Sequence, residues 1–303
     1  MKKYIVIALS LMASGLMAQN VMAEAELEAE NVNEVRVEGS FLDVYVVNGD
    51  RVFFEGIIEG NGDEGDYRFD ADIIGSALVI KVIYTKDKYN WKNRKITKSR
   101  IDITLTDGVK LFVDNSSGDV SVANLRASEA KIEASSGDIT LRSVVANLES
   151  RTSSGDIDID GLIGDSKIRS TSGDQRLYDL RGTINSRSSS GDITVSKFKG
   201  DLKLEASSGD VDIRTGEGTV AVRTTSGEIE GRDIMLTGDA KFNASSGDVE
   251  IDFKNDLQEL GFDLRASSGD LEVGSRSAEK RLIIERGRYM VVGETSSGDQ
   301  EYD

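Results

Sequence analysis

Apolar and polar residues alternate along most of this chain, and a four-residue punctuation, Ser-Ser-Gly-Asp or a close variant, cuts the alternation into similar lengths. After Gly191, Ile193 and Val195 alternate with Thr194 and Ser196, and Phe198 precedes a glycine at 200. Leu202, Leu204 and Ala206 then alternate with Lys203 and Glu205. Period two marks a strand with one buried face. The marker glycines are Gly118, Gly137, Gly155, Gly173, Gly191, Gly209, Gly227, Gly247, Gly269 and Gly298, at intervals of 19, then 18 five times, then 20, 22 and 29. A period near 20 signals stacked units, none of which can bury its apolar face alone. A second glycine follows nine residues after the marker in four consecutive units, at Gly164, Gly182, Gly200 and Gly218.

Each unit therefore reads as two strand arms joined by two tight turns. Parallel pairing between units predicts an all-β fold, a β-solenoid of 18–20-residue coils wound as a right-handed single-stranded β-helix. At roughly 4.8 Å per coil, ten coils would make a rod of about 48 Å. Two residues after the marker stand Val120, Ile139, Ile157, Ile193, Val211, Ile229, Val249 and Leu271, an inward aliphatic ladder. Just before the marker the inward residues are small: Ala134, Thr152, Ser170, Ser188, Ala206, Thr224, Ala244 and Ala266. The coil should taper toward the marker, where glycine admits the positive φ of a sharp turn. Gln175 breaks the aliphatic ladder. It is expected to be hydrogen-bonded within the turn, the alternative being that it lines a site.

Residues 1–23 read as a secretory signal peptide, with Lys2 and Lys3 before an apolar run from Ile5 to Ala13 and Val21-Met22-Ala23 as the cleavage site; a cut after Ala18 is the alternative. No other apolar run is long enough to cross a bilayer, and no Cys is present to accept a lipid. The expected location is the periplasm or the cell exterior and surface. Residues 24–30 are Glu and Ala, expected to be a solvated lead-in. Strand patterns from Val35 to Leu105 are longer and less regular, with Asn48-Gly49-Asp50 reading as a hairpin turn. Residues 24–110 are thus expected to be an N-terminal cap with irregular first coils, or else a separate small β-domain, and 111–303 the regular repeat. The wide last interval implies an insertion over Ser275 to Arg288, a side loop or short helix. The charged tail Asp299 to Asp303 is expected to discourage end-to-end stacking.

Composition narrows the chemistry. The formal charge is -17, and losing Lys2 and Lys3 with the leader makes it -19. Nucleic acid is therefore not an expected partner. The absence of Cys excludes disulfides, thiol nucleophiles and zinc-thiolate sites, and the absence of His removes the commonest general base and metal ligand. Absent Pro suits uninterrupted ladders.

Two features could bind something. The segment from Lys86 to Arg100 holds seven basic residues around Tyr89 and the single Trp, Trp91. Tyr89, Trp91, Lys92, Arg94 and Lys95 are candidate contacts for a polyanion or sugar, or else form a solvated hairpin tip. The motif acids Asp119, Asp138, Asp156, Asp174, Asp192, Asp210, Asp248, Asp270 and Asp299, with Glu228, should line one edge. Neighbouring charges about 5 Å apart repel by roughly 0.8 kcal/mol even in water. Either turn N–H groups and Ser hydroxyls offset this, or calcium does, held by Asp138, Asp156, Asp174, Asp192 and Asp210. The first is expected, with no cofactor.

From Ile101 the text runs Ile-Asp-Ile-Thr-Leu-Thr-Asp-Gly-Val-Lys-Leu-Phe-Val-Asp-Asn-Ser-Ser-Gly-Asp. With its repeats, this resembles a family of exported bacterial putative adhesins with Ser-Gly-Asp strand repeats, similar to head-GIN-type adhesin domains, over residues 32–303. A proline would be expected before Gly108, where Asp107 stands. The resemblance implies a β-solenoid with an adhesive or envelope role. The expected function is a non-enzymatic adhesin-like or envelope scaffold module whose partner is an envelope glycan or protein. The alternatives are a polysaccharide-processing enzyme built on a β-helix and an envelope-stress or regulatory component. An enzyme would need a unique cleft, for which only segment 86–100, the Gln175-Arg176-Leu177-Tyr178 coil and the 275–288 insertion depart enough from the repeat.

Overall fold

The computed structural model describes residues 20–85, 95–285 and 287–303. Within these the backbone is strand, turn and bend, with one 3-10 turn at Leu257–Glu259 and no α-helix. The chain forms two units, residues up to Ala146 and Asn147–Asp303.

In the second unit, parallel pairing runs coil to coil at the offset the markers set. Ile157 pairs with Gln175, Gln175 with Ile193, Ile193 with Val211 and Val211 with Ile229, each step spanning 18 residues. All five are buried, as is Ile139, which pairs with Val120 in the first unit. The architecture is all-β and β-solenoid-like, as the period-two pattern and the marker spacing require.

Seven consecutive coils have a further bend beyond the glycine turns. Six residues past the marker, φ is positive at Asn124, Ser143, Gly161, Asp179, Lys197, Thr215 and Asp233. The ladder skips this residue: Ser196 pairs with Arg214 and Phe198 with Gly216, leaving Lys197 and Thr215 out. The burial phase slips by one residue at the same place. A skipped residue bends its strand as a bulge does. Six residue types occupy the position, so the sequence does not advertise it.

The marker glycines are needed for a different reason than the one expected. Among them positive φ occurs only at Gly247, Gly269 and Gly298. Elsewhere the requirement is close approach: a Cβ on Gly173 would lie 1.8 Å from the carbonyl oxygen of Gly155, and one on Gly191 2.2 Å from that of Gly173. Glycine stacks on glycine because the corners of adjacent coils touch through backbone. Positive φ belongs instead to the second corner, at Gly164, Gly182 and Gly200.

At the C-terminus, order in space departs from order in sequence. Val249 pairs with Gln300, and Gln300 with Leu271. On another arm Ala240 pairs with Val291, and Val291 with Phe262. The last coil in sequence is thus inserted between two earlier ones. The tail is a strand, Gln300–Tyr302, within the stack rather than a charged end to it. Half of the 275–288 insertion is strand rather than side loop or helix: Arg276–Ala278 and Arg281–Ile284 pair antiparallel with Leu271–Val273 and Leu260–Ser268, covering the edge of the outermost coil.

The first unit does the same in mirror order. The strands Glu34–Ser40 and Asp43–Asn48 lie between the coil built from Ala77–Tyr84 and Ile96–Leu105 and the one built from Lys110–Asn115 and Val120–Ala123. Tyr67–Ile74 and Val52–Gly60 cover the outer coil antiparallel. Asn48-Gly49-Asp50 is therefore not a hairpin turn: the strands on either side both pair with Ile96–Leu105, and the Gly49 N–H donates to the Leu105 carbonyl at 2.8 Å. Nor is 24–30 a solvated lead-in. Asn20–Ala29 is a strand paired antiparallel with Val52–Gly60, and its alternate residues Ala25, Leu27 and Ala29 are buried. Read with period two, Ala-Glu-Leu-Glu-Ala already shows this alternation, which its high charge disguised.

Candidate functional site

The features repeated from coil to coil are the motif carboxylates. In four successive coils of the second unit the backbone N–H at the motif acid donates to Oδ1 of the acid one coil earlier: Asp174 to Asp156 at 2.9 Å, Asp192 to Asp174 at 3.1 Å, Asp210 to Asp192 at 2.9 Å and Glu228 to Asp210 at 2.9 Å. The chain of bonds resumes as Asp299 to Asp248 and Asp270 to Asp299, both 2.8 Å. In the first unit Asp138 donates to Asp119 at 2.9 Å, and Asp119 to Asp43 at 3.1 Å. Asp43 is the acid of an extra, degenerate copy, Ser40-Phe41-Leu42-Asp43, hidden from the sequence reading because Leu42 replaces the glycine. Gly118 stacks directly on it, so a Cβ there would meet the Leu42 carbonyl oxygen at 2.1 Å.

This geometry supplies the offset that a file of like charges needs, since an amide hydrogen bond to a carboxylate is charge-assisted. Arg176 adds to it. Its guanidinium reaches Asp156 Oδ2 at 2.9 Å, Asp158 Oδ1 at 3.5 Å and Asp174 Oδ2 at 3.2 Å. The hydrogen bond from Arg176 holds the Asp156 carboxyl below its ordinary pKa, against the opposing effect of partial burial. Among the described residues no group of three or more Asp or Glu side chains is arranged to hold a metal ion. We expect thermal melts in calcium and in chelator to share one midpoint; a midpoint raised by calcium and lost on Asp192→Asn would assign the ion to the Asp file.

Gln175 is wholly buried, and its Nε2 donates to Ser170 Oγ and to the Arg187 carbonyl, both at 2.8 Å, while its Oε1 accepts from Ser186 Oγ. Gln300 repeats the arrangement, with Nε2 donating to the Arg265 carbonyl at 2.9 Å and Thr295 Oγ1 at 3.0 Å. Both glutamines stand two residues after a marker, a spacing by which the second could have been found. Tyr178 on the Gln175 coil carries Lys197 over its ring at 4.5 Å, and its hydroxyl accepts from the Lys197 ammonium, an interaction that raises the Lys197 pKa.

Of the candidate contacts in the basic segment, Tyr89, Trp91, Lys92 and Arg94 lie outside the described residues. Lys95 is exposed, and its backbone is tied to Asn61. The three departures from the repeat are not all brought together. From Gln175 to Leu271 the ladder takes six steps, by way of Ile193, Val211, Ile229, Val249 and Gln300, or about 29 Å at the spacing of paired strands. Beside the insertion lies an open cleft of about 880 Å³, lined by Leu257, Gln258, Gly274, Arg276 and Ile283, with Glu285 its one carboxylate.

The Toastrack DUF4097 family profile matches residues 73–215 and, overlapping them, 194–303. No curated protein matches the chain. Similar solved structures include a putative adhesin from Bacteroides fragilis, at 10% identity and TM-score 0.41, covering 94% of this chain and 98% of that one. A putative lipid binding protein from Parabacteroides distasonis, at 15% identity and TM-score 0.41, covers 91% and 95%. A putative cell adhesion protein from Clostridium sporogenes, at 8% identity and TM-score 0.23, covers 92% and 97%.

Proposed function

Because the chain belongs to the Toastrack DUF4097 family, we propose that it is a non-enzymatic, adhesin-like binding or scaffold module of the cell envelope. Repetition carries this reading. The coils of the second unit present the same kinds of side chain in register, whereas catalysis needs unlike groups converging once. Arg176 and the Gln175 cluster share one coil while the cleft beside Arg276 belongs to another, and the buried glutamines are spent on internal hydrogen bonds. The test is a glycan array followed by product analysis on every ligand bound. Binding with the ligand recovered unchanged is expected; turnover of a bound glycan would replace the module with an enzyme.

Export accompanies this role, and the fold bears on where the leader is cut. Met22 is buried against Gly60 and Gly62, where a Cβ would lie 2.8 Å from its Cε and 2.4 Å from its Sδ. A cut after Ala23 would remove that plug and the strand residues paired opposite Ile58 and Glu59, whereas a cut after Ala18 keeps the strand whole. The intact mass of the exported chain is therefore expected to correspond to a start at Gln19; a start at Glu24 would overturn this placement.

A further inference from the structure

Several arginines of this acidic chain pair with a carboxylate two residues away on the same strand face: Arg36 with Glu34, Arg214 with Asp212, Arg232 with Glu230 and Arg265 with Asp263, and, in the reverse order, Arg68 with Asp70 and Arg100 with Asp102. Arg169 is different. The residue two before it is Lys167, and in the parallel ladder it lies between Arg151 and Arg187. Arg151, Lys167 and Arg169 are exposed, and among the described residues none of the three side chains makes an ion pair or a hydrogen bond. Next in the file come Glu205, which pairs with Arg187 and Lys203, and then the exposed Arg223.

Stacked guanidinium groups about 5 Å apart repel by roughly 0.8 kcal/mol per neighbour in water. Glu205 pairs with Arg187, and Glu149 stands two residues before Arg151 and opposite Lys167, but no carboxylate pairs with Arg169 at the centre of the file, whereas amide bonds to carboxylate run through most steps of the Asp file. We propose that this face of the second unit, centred on Arg169 with Arg151, Lys167, Arg187 and Arg223 around it, binds an anionic polysaccharide laid along the stack, its sulfate, phosphate or carboxylate groups meeting the cations coil by coil. The inference rests on the envelope-binding reading and names its ligand. A linear polymer is indicated because the cations stand in file at a single repeat, that of paired strands. The outward residues of this face between Glu149 and Arg223 include no aromatic side chain, so bases have no platform on which to stack. They also include no large apolar side chain to anchor a protein partner.

The experiment uses the full exported chain and fluorescently labelled heparin oligosaccharide, with dextran sulfate and polyphosphate as further anionic probes and with neutral dextran and single-stranded DNA as comparators. Heparin binding that weakens steeply with added salt is expected. Arg169→Gln should weaken it about tenfold, and the triple change Arg151→Gln, Arg169→Gln and Arg187→Gln about a hundredfold or more. Arg214→Gln, which removes a paired arginine, should leave it unchanged. The melting temperature of Arg169→Gln should equal or exceed that of the parent, because a repulsive contact is removed. Preference between the sulfated probes and polyphosphate identifies which oxyanion the file reads. Binding that ignores Arg169, or single-stranded DNA bound as tightly as heparin, would overturn the proposal. So would self-association at low salt that Arg169→Gln abolishes in the absence of any glycan binding. If envelope material is bound but Arg169 is immaterial, this inference fails and the envelope reading stands; if a bound glycan is cleaved, the reverse holds.

Discussion

Gly173→Ala is expected to cost about 3 kcal/mol, at the upper end of what one added methyl does in a packed interior. The methyl would sit 1.8 Å from the Gly155 carbonyl oxygen, an atom fixed by the ladder on either side of it, so neither coil can yield without breaking backbone pairing. Gly65→Ala provides the contrast. Its φ is +81° with nothing within 4 Å, and the substitution should cost only about 1 kcal/mol of backbone strain. Denaturant midpoints for the two variants measure the difference. In a fold whose stability is a sum of unit and interface terms, a lesson from one interface extends to the whole array: the Gly173 variant should also lose cooperativity and unfold in two steps. Equal midpoints for the two substitutions would show that the corner has room and that the markers serve conformation alone.

Removing residues 288–303 should be more damaging than the loss of a tail normally is. It takes out the coil that stands between Ala240–Ala244 and Phe262–Ala266, leaving two strand edges about 9.6 Å apart and unpaired. Exposed apolar edges template association, so the truncated chain is expected to aggregate. The centre of what is lost is Tyr302, fully buried among Phe242, Phe253 and Phe262 at ring-centroid distances of 6.1, 6.1 and 5.7 Å. Burial pushes its phenol pKa upward, so it stays neutral, and its hydroxyl donates to Gln300 Oε1 at 3.2 Å. Tyr302→Ala should cost about 4 kcal/mol. Tyr302→Phe, which gives up only that hydrogen bond, should cost about 1 kcal/mol. Sedimentation and thermal melts decide the matter: a monomeric truncated chain melting with the parent would mean that the last coil is an accessory.

Much of this was written in residue order. Alternation along each arm, together with glycine at a near-constant interval, was enough for strands, for parallel stacking and for the inward ladders, Val120 with Ile139 in the first unit and Ile157 to Leu271 in the second, because burial on one face of a strand has period two wherever that strand lies. Small residues before each marker foretold the narrow corner, and the absence of His and Cys removed whole classes of chemistry. Gln175 stood out as a break in a pattern, although only coordinates could show that its partners come from the following coil as well as its own.

What the tertiary structure alone decided depends on contacts between distant residues. Which coil lies beside which was one such matter: Gln300 pairs with both Val249 and Leu271, and Val35 with both Leu78 and Leu111. Strand periodicity is indifferent to the identity of the neighbouring strand, so sequence order was a natural but wrong guide at both ends of the chain. The third bend was another, since a residue dropped from a ladder is defined by the pairing around it and tolerates many side chains. The same holds for Arg169, unremarkable in the text, whose three cationic neighbours come from two other coils and its own strand. Side-chain pattern determined the local conformation of this protein, because each residue chooses between buried and exposed on its own; partnership was settled in space, because it is a property of pairs.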